Sequence, residues 1–239
     1  QSRSSAASDV YKRQDLHGVA EIAKQHGAKT MIDNTFCTPI YQKPLEMGID
    51  VVMHTLSKYM GGHSDIIGGA LVSKDQDLMS LMLDRRELFG GIIGPFEAWL
   101  VLRGLRSMEV RIAQHNETAL KVAKYLEAHA KVKCVYYPGL ESHPQYSLMK
   151  IQQTGNTGLL SFEIKGSVEQ AKTFVNSLSI FKIGVSWGGF ESLVSMPHLR
   201  LSEESCRWLG AGQGIIRLHC GLEGAENLIA DLASALEKI

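Results

Sequence analysis

Charge of one sign is not in excess in this chain. Lys and Arg together number 25, Asp and Glu number 25, and no long basic run occurs. That balance excludes the electrostatic footprint expected of a nucleic-acid-binding protein or of one held on an anionic membrane surface. No apolar stretch approaches the ~18–20 residues needed to span a bilayer. The four cysteines, Cys37, Cys134, Cys206 and Cys220, are scattered and form no C-x-x-C pair. This argues against a disulfide or zinc framework and leads us to expect a reduced, cytoplasmic protein with free and mostly buried thiols. Aromatic residues make up only 7%, yet hydrophobic residues reach 44% and charged ones 21%. That is the profile of a soluble globular protein. No internal repeat or low-complexity segment is present. The 239 residues suffice for one large domain or two small ones.

Along the chain, residues 1–14 are rich in Ser, Ala, Arg and Gln without an apolar period. They read as a non-native tail. From Asp15 the pattern is α/β. Leu16, Val19, Ala20, Ile22 and Ala23 recur at helical spacing behind an Asp15 cap, and Gly27 ends that helix. Lys29 to Asp33, Asp50 to His54 and Gly68 to Ser73 read as buried strands, with a helical turn from Pro44 to Met47 closed by Gly48. The alternation predicts a largely parallel sheet with covering helices. Ligands bind such sheets at the carboxyl ends of the strands. Asp75 to Leu88 reads as a helix and Gly90 to Pro95 as a loop. A long helix follows from about Phe96 to Ala128, with Gly104 as a bend or a close packing point. The remainder reads as a compact α+β unit. Its strands are Val132 to Tyr136, Gly158 to Ile164 and Gly214 to Cys220. Its helices are Val168 to Leu178 and Ala225 to Leu236. The expected boundary therefore lies inside the long helix near Met108, with the C-terminal part of a larger ligand-binding domain over 15–108 and a smaller C-terminal domain over 109–239.

The chemistry concentrates at two strand ends. Met31-Ile-Asp-Asn-Thr-Phe places a carboxylate after one apolar strand. His54-Thr-Leu-Ser-Lys-Tyr places a lysine beside two hydroxyls after the next, and Gly61-Gly-His-Ser-Asp65 follows. Asp33 and Lys58 are separated by about one strand–connection–strand unit. This is the equipment for holding pyridoxal 5′-phosphate. Lys58 would supply the amine for the Schiff base, Asp33 would hold a proton on the pyridine nitrogen, and Thr55 and Ser57 would donate to the phosphate. A lysine has an unperturbed pKa of about 10.4, so it must be largely neutral to act near pH 7. Burial beside a cationic ring favours that state.

Blander readings exist for each of these residues. A lysine on its own is most often a solvated charge, and Asp-Asn-Thr is good turn chemistry. His54, His63 and Asp65 could be taken for a metal cluster, but their spacing does not place them on one helical face. Gly184-Val-Ser-Trp-Gly188 fits the G-x-S-x-G pattern of α/β-hydrolases, with Ser186 as nucleophile. That reading needs an acid and then a histidine downstream. Asp231 follows both His198 and His219, so only Glu203 or Glu204 could supply the order. Arg217 lies in the apolar strand Ile215-Ile-Arg-Leu-His-Cys220 and needs a partner. A structural salt bridge is one solution. A bidentate clamp on a substrate α-carboxylate is the other.

With those segments in hand, residues 15 to 239 resemble the Cys/Met-metabolism (trans-sulfuration) family of PLP enzymes. Its members include cystathionine γ-synthase, cystathionine β- and γ-lyases and methionine γ-lyase. The resemblance rests on four motifs in order: Met31-Ile-Asp-Asn-Thr-Phe; Ser57-Lys-Tyr with Gly62-His-Ser-Asp65; Ser186-Trp-Gly-Gly-Phe-Glu-Ser192; and Arg217-Leu-His-Cys-Gly-Leu-Glu223. It implies a fold-type I PLP-dependent transferase architecture. It also implies Lys58 as Schiff-base lysine and proton shuttle, Asp33 at the pyridine nitrogen, Thr55 and Ser57 at the phosphate, Arg217 at the substrate carboxylate and Ser186 near the substrate. A homotetramer built as a dimer of dimers is implied in the same way.

Departures from the family pattern accompany the match. The family's further N-terminal portion supplies a glycine-containing phosphate loop, a tyrosine stacked on the ring, and a tyrosine–arginine pair for the neighbouring subunit. About a third of the usual core is thus missing, and the fragment is expected to be inactive by itself. The family usually has Ser where Thr55 stands and Thr where Ser57 stands, and both exchanges keep the hydroxyl. Ser186-Trp-Gly-Gly-Phe-Glu-Ser192 with Ile216-Arg-Leu-His resembles bacterial cystathionine β-lyases. Val185 stands where γ-synthases and γ-lyases often carry Glu. The expectation is a carbon–sulfur lyase acting on cystathionine or a related sulfur amino acid, with γ-replacement on an acylated homoserine as the alternative.

Overall fold

The computed structural model describes residues 13–239. Most of the expectation for a tail over 1–14 falls outside these residues. Of the two described positions, Arg13 donates its backbone N–H to Gln145 Oε1 at 2.6 Å. The carbonyl of Gln14 accepts from Gln152 Nε2 at 3.0 Å.

The chain divides into two compact units. Among the described residues, one holds 14–110 together with 150–155, and the other holds Arg13, 111–149 and 156–239. The division is therefore not a single cut, because a six-residue segment from the second half of the sequence belongs with the first unit. A 34-residue helix, Pro95–Ala128, runs through the division.

The first unit opens with helix α1, Leu16–Gln25. The Asp15 carboxylate caps it by accepting from Gly18 N. Strand β1, Met31–Asp33, pairs parallel with β2, Val51–Thr55. Between them lie the short helix α2, Thr38–Tyr41, and a 3-10 turn, Pro44–Met47, closed by Gly48 at φ 92°. Strand β3, Gly69–Ser73, pairs antiparallel with β2. The α/β class holds, but the three-stranded sheet is mixed. The connection from Thr55 to Gly69 is spent on the tight turns after Ser57, so no crossover helix carries the chain to a parallel strand. Asp75 caps α3, Gln76–Phe89, by accepting from Asp77 N and Leu78 N. Leu56, Ile66 and Val101 form a small buried cluster, with Met60, Ala70 and Leu100 packed on it.

Behind Asp33 lies a chain of buried amides that the sequence did not announce. Asn34 Nδ2 donates to the carbonyls of Thr38 (3.2 Å) and Gln42 (3.0 Å). Gln42 Nε2 returns a bond to Asn34 Oδ1 at 2.8 Å, and Gln153 Nε2 donates to Gln42 Oε1 at 2.7 Å. Gln153 belongs to the segment 150–155, so this network builds that segment into the first unit.

The second unit holds the strands β4 Val132–Tyr136, β5 Leu159–Ile164, β6 Lys182–Ile183, β7 Leu193–Ser195 and β8 Ile216–His219. They form a five-stranded sheet in the order β4-β5-β8-β7-β6. All neighbours are antiparallel except β6 and β7. One face carries Leu160, Phe162, Val194, Ile216 and Leu218 into the core. There they meet Phe174 and Ala171 of the helix Val168–Ser177, and Leu228, Leu232 and Leu236 of the helix Ala225–Glu237. Period-two alternation places Ser161, Arg217 and Ser195, which are in register across three strands, on the other face, together with His219.

Candidate active site

The candidate cofactor residues are in the first unit. Asp33 is the last residue of β1. Its Oδ1 accepts from the backbone N–H of Thr35 at 2.9 Å and from the Thr35 hydroxyl. The Thr35 hydroxyl in turn accepts from Thr55 N at 2.7 Å. One buried threonine thus fixes the carboxylate and ties it to the strand end that leads to the lysine. Asn34 N donates to Met53 O at 2.9 Å and extends the parallel pairing past the end of β1.

Beyond Thr55 the backbone turns tightly. Lys58 N bonds to Thr55 O, Gly61 N to Leu56 O at 2.8 Å, and Gly62 N to Lys58 O at 2.7 Å. Ser57 Oγ accepts from Gly68 N at 3.3 Å, so its own proton is the one it can give away. Gly62 sits at φ 74°, in the region that favours glycine. Asp33, Thr55, Ser57 and Lys58 are therefore all brought to the carboxyl ends of two adjacent parallel strands. This donor set suits pyridoxal phosphate: an oriented carboxylate for a ring nitrogen, hydroxyl donors for a phosphate, and an amine for an aldehyde.

His54 is buried in β2. Burial pushes its imidazole below the ordinary histidine range, and the nearby Asp33 charge opposes that shift. Among the described residues, no group of three or more His, Cys, Asp or Glu side chains is placed to hold a metal ion.

The remaining candidates are in the second unit. Arg217 is buried in β8, and its Nη2 donates to the carbonyl of Val185 at 2.6 Å. Ser186 follows in an irregular loop that runs on to Ser192. Segment 217–223 holds this loop along its length. His219 Nε2 lies 3.1 Å from Gly188 N and 3.0 Å from Gly189 O. Leu222 N bonds to Phe190 O at 2.8 Å. Glu223 accepts from both the backbone N–H and the hydroxyl of Ser192, each at 2.7 Å. The third and fourth sequence motifs are thus one structural object.

That loop overturns the hydrolase reading of Ser186. A nucleophile elbow needs a strand, a sharp turn and a helix, and here no helix follows the serine. Asp231 is also engaged elsewhere. Its carboxylate accepts from the backbone N–H groups of Ser179, Ile180 and Phe181 at 2.7, 2.8 and 3.1 Å.

Sequence reasoning missed Thr35, His219, Ser192 and Glu223. The turn chemistry read in Asp33-Asn-Thr35 is an Asx-turn signal that, followed to its acceptor, leads to the first. The i, i+2 relation of Arg217 and His219 on one strand face would have found the second.

Residues 4–237 match the family model described as Cys/Met metabolism PLP-dependent enzyme. Cystathionine gamma-lyase of Bacillus subtilis (strain 168) is 40% identical over 234 residues, covering 96% of this chain and 62% of that protein. Cystathionine beta-lyase of Lactococcus lactis subsp. cremoris (strain MG1363) is 39% identical over 228 residues, covering 94% and 60%. The crystal structure of cystathionine gamma synthase from Xanthomonas oryzae pv. oryzae, in complex with aminoacrylate and cysteine, superposes with a TM-score of 0.91 at 40% identity. It covers 96% of this chain and 60% of that one. The chain thus spans about three fifths of the length of the relatives it matches. With an oriented Asp33, the Lys58 turn and the paired 185–192 and 217–223 segments in place, this chain belongs to the Cys/Met metabolism PLP-dependent enzyme family.

Proposed function

We propose that the full-length protein is a carbon–sulfur lyase of trans-sulfuration, acting on cystathionine or a related sulfur amino acid. The observation that carries this reading is the Asp33–Thr35–Thr55 hydrogen-bond chain. It presents a fixed carboxylate next to the strand end from which Lys58 turns out.

Pyridoxal phosphate, when bound, supplies the electron sink that makes an amino acid's α-proton removable. Asp33 would hold a proton at the pyridine nitrogen of the cofactor and, as an anion, would stabilise the charged ring. Thr55 and Ser57 would donate to its phosphate. The ε-amine of Lys58 would hold its aldehyde and would take the substrate's α-proton and return a proton. Arg217 would grip the substrate α-carboxylate and so orient the bond to be broken. The carbon–sulfur bond breaks and the sulfur leaves as a thiol. The remaining carbon skeleton takes up water and becomes a keto acid and ammonia.

A second reading, γ-replacement on an acylated homoserine, draws support from the likeness to a cystathionine gamma synthase. It requires Lys58 to move a β-proton as well. The four free cysteines agree with a reducing cytoplasm. Family likeness supports a tetramer, which light scattering of the full-length protein tests.

The functional test is spectral and chemical. The full-length protein with added pyridoxal phosphate should show a visible absorbance band that borohydride traps on Lys58, and Lys58→Ala should abolish the band. Thiol release from cystathionine, compared with product formation from acylhomoserine plus cysteine, separates the two readings. A persistent, unchanged band in Lys58→Ala would refute the lysine assignment.

A further inference from the structure

We propose that His219 is a positioning residue for substrate-carboxylate recognition, acting through the loop between Gly184 and Ser192. The proposal rests on the reading of Arg217 as the carboxylate clamp.

Arg217 and His219 leave β8 on the same face, away from the apolar core. Both reach the same loop. Arg217 Nη2 donates to Val185 O, and His219 Nε2 sits between Gly188 N and Gly189 O. The loop's far end is held by Glu223 on Ser192 and by Leu222 on Phe190. His219 therefore supplies the grip at the middle, across two consecutive glycines. Gly188 adopts φ 89°, and a glycine pair has more backbone freedom to lose than any other dipeptide. Holding it fixes the carbonyl that aims Arg217 and the backbone that presents Ser186.

The imidazole is itself braced. The ring of His115 lies 5.2 Å from that of His219 at a tilt of 40°, and His115 Nδ1 is 2.8 Å from Cys220 O. Both histidines are buried. A single ring nitrogen either accepts or donates, so Nε2 serves Gly188 N or Gly189 O at any moment. A glutamine amide has one acceptor and one donor and can serve both.

The test uses the full-length enzyme with His219→Ala and His219→Gln. His219→Ala should raise KM for the amino-acid substrate about tenfold with kcat changed less than about twofold, while His219→Gln stays within about threefold of the parent. A second readout needs no turnover. In a background in which Trp99, Trp208 and any tryptophan of the full-length protein outside these 239 residues are changed to Phe, Trp187 reports on the loop, and its acrylamide quenching should rise in His219→Ala and hold in His219→Gln. Parental KM and quenching in His219→Ala would overturn the proposal. A His219→Gln variant with a tenfold higher KM would overturn it too, even if the alanine variant fails to fold, because it would leave ring packing as the only role. If the parent turns over no amino acid, the functional reading fails instead, and the Trp187 signal still decides whether His219 holds the loop.

Discussion

Gly104 rests directly on the carbonyl oxygens of Met60 and Gly61: a Cβ at position 104 would stand 2.4 Å from each. The long helix Pro95–Ala128 is thereby pressed against the turn that carries Lys58. Gly104→Ala gains about 1 kcal/mol in helix propensity. It cannot use that gain without moving the turn, and overpacking against rigid atoms costs about 1–3 kcal/mol or more. The variant should be less stable than the parent, with a melting point lower by about 2–4 °C for each kcal/mol lost. A melting point at or above that of the parent would show that the helix can step back from the turn.

Thr35 is buried and uses its hydroxyl twice, donating to Asp33 and accepting from Thr55 N. Thr35→Val keeps the shape and removes both bonds. A backbone N–H and a carboxylate each lose a partner, at a cost of about 1–3 kcal/mol, measurable by urea unfolding. Pyridoxal phosphate affinity of the full-length protein should fall as well, since the carboxylate loses its orientation. An unchanged affinity would detach Thr35 from the cofactor site.

Burial lowers His115 from 6.5 to about 4, with Arg111 pushing the same way and the Cys220 carbonyl opposing. The folded state thus keeps this ring neutral where the unfolded chain would bind a proton. Stability is fully present above about pH 6.5 and is lost as pH falls towards about 4, by up to about 3 kcal/mol. His143 is lowered to about 4 as well, chiefly by burial and further by Arg13. Unfolding midpoints measured from pH 7 to pH 4 should therefore decline. His115→Gln should flatten the slope, and a slope identical to that of the parent would contradict the assignment.

The carboxylate of Asp231 receives three backbone N–H groups from residues 179–181. Asp231→Ala leaves those donors without their acceptor and should cost about 3 kcal/mol. Because the Asp231 carboxylate is committed to these three donors, kcat of the folded variant should stay near the parental value. A selective loss of kcat without loss of stability would reopen a chemical role.

The regular elements were legible where apolar spacing ran long enough to be read. The helices Gln76–Phe89, Pro95–Ala128, Val168–Ser177 and Ala225–Glu237 emerged within a residue or two of their expected ends. Strand Leu193–Ser195 and helix Glu203–Leu209 did not emerge, because three and seven residues carry too little periodicity. The antiparallel direction of Gly69–Ser73 was also hidden, since strand direction depends on the path of the preceding turn. Asp33, Thr55, Ser57 and Lys58 could be picked out because cofactor chemistry demands particular residue types close to strand ends. The partners of Arg217 and His219 are backbone atoms of a loop some thirty residues away, and no residue type marks a carbonyl as an acceptor.

The amide chain Asn34–Gln42–Gln153 has a consequence for how the polypeptide is born. Gln153 follows Gln42 by 111 residues, and strands β2, β3 and β4 emerge from the ribosome in the interval. At about 5–20 residues per second, the two earlier amides wait roughly 6–20 s for their last partner. During that time the Asn34–Gln42 pair lacks its last partner, and maturation of this region is postponed until Gln153 has left the ribosome.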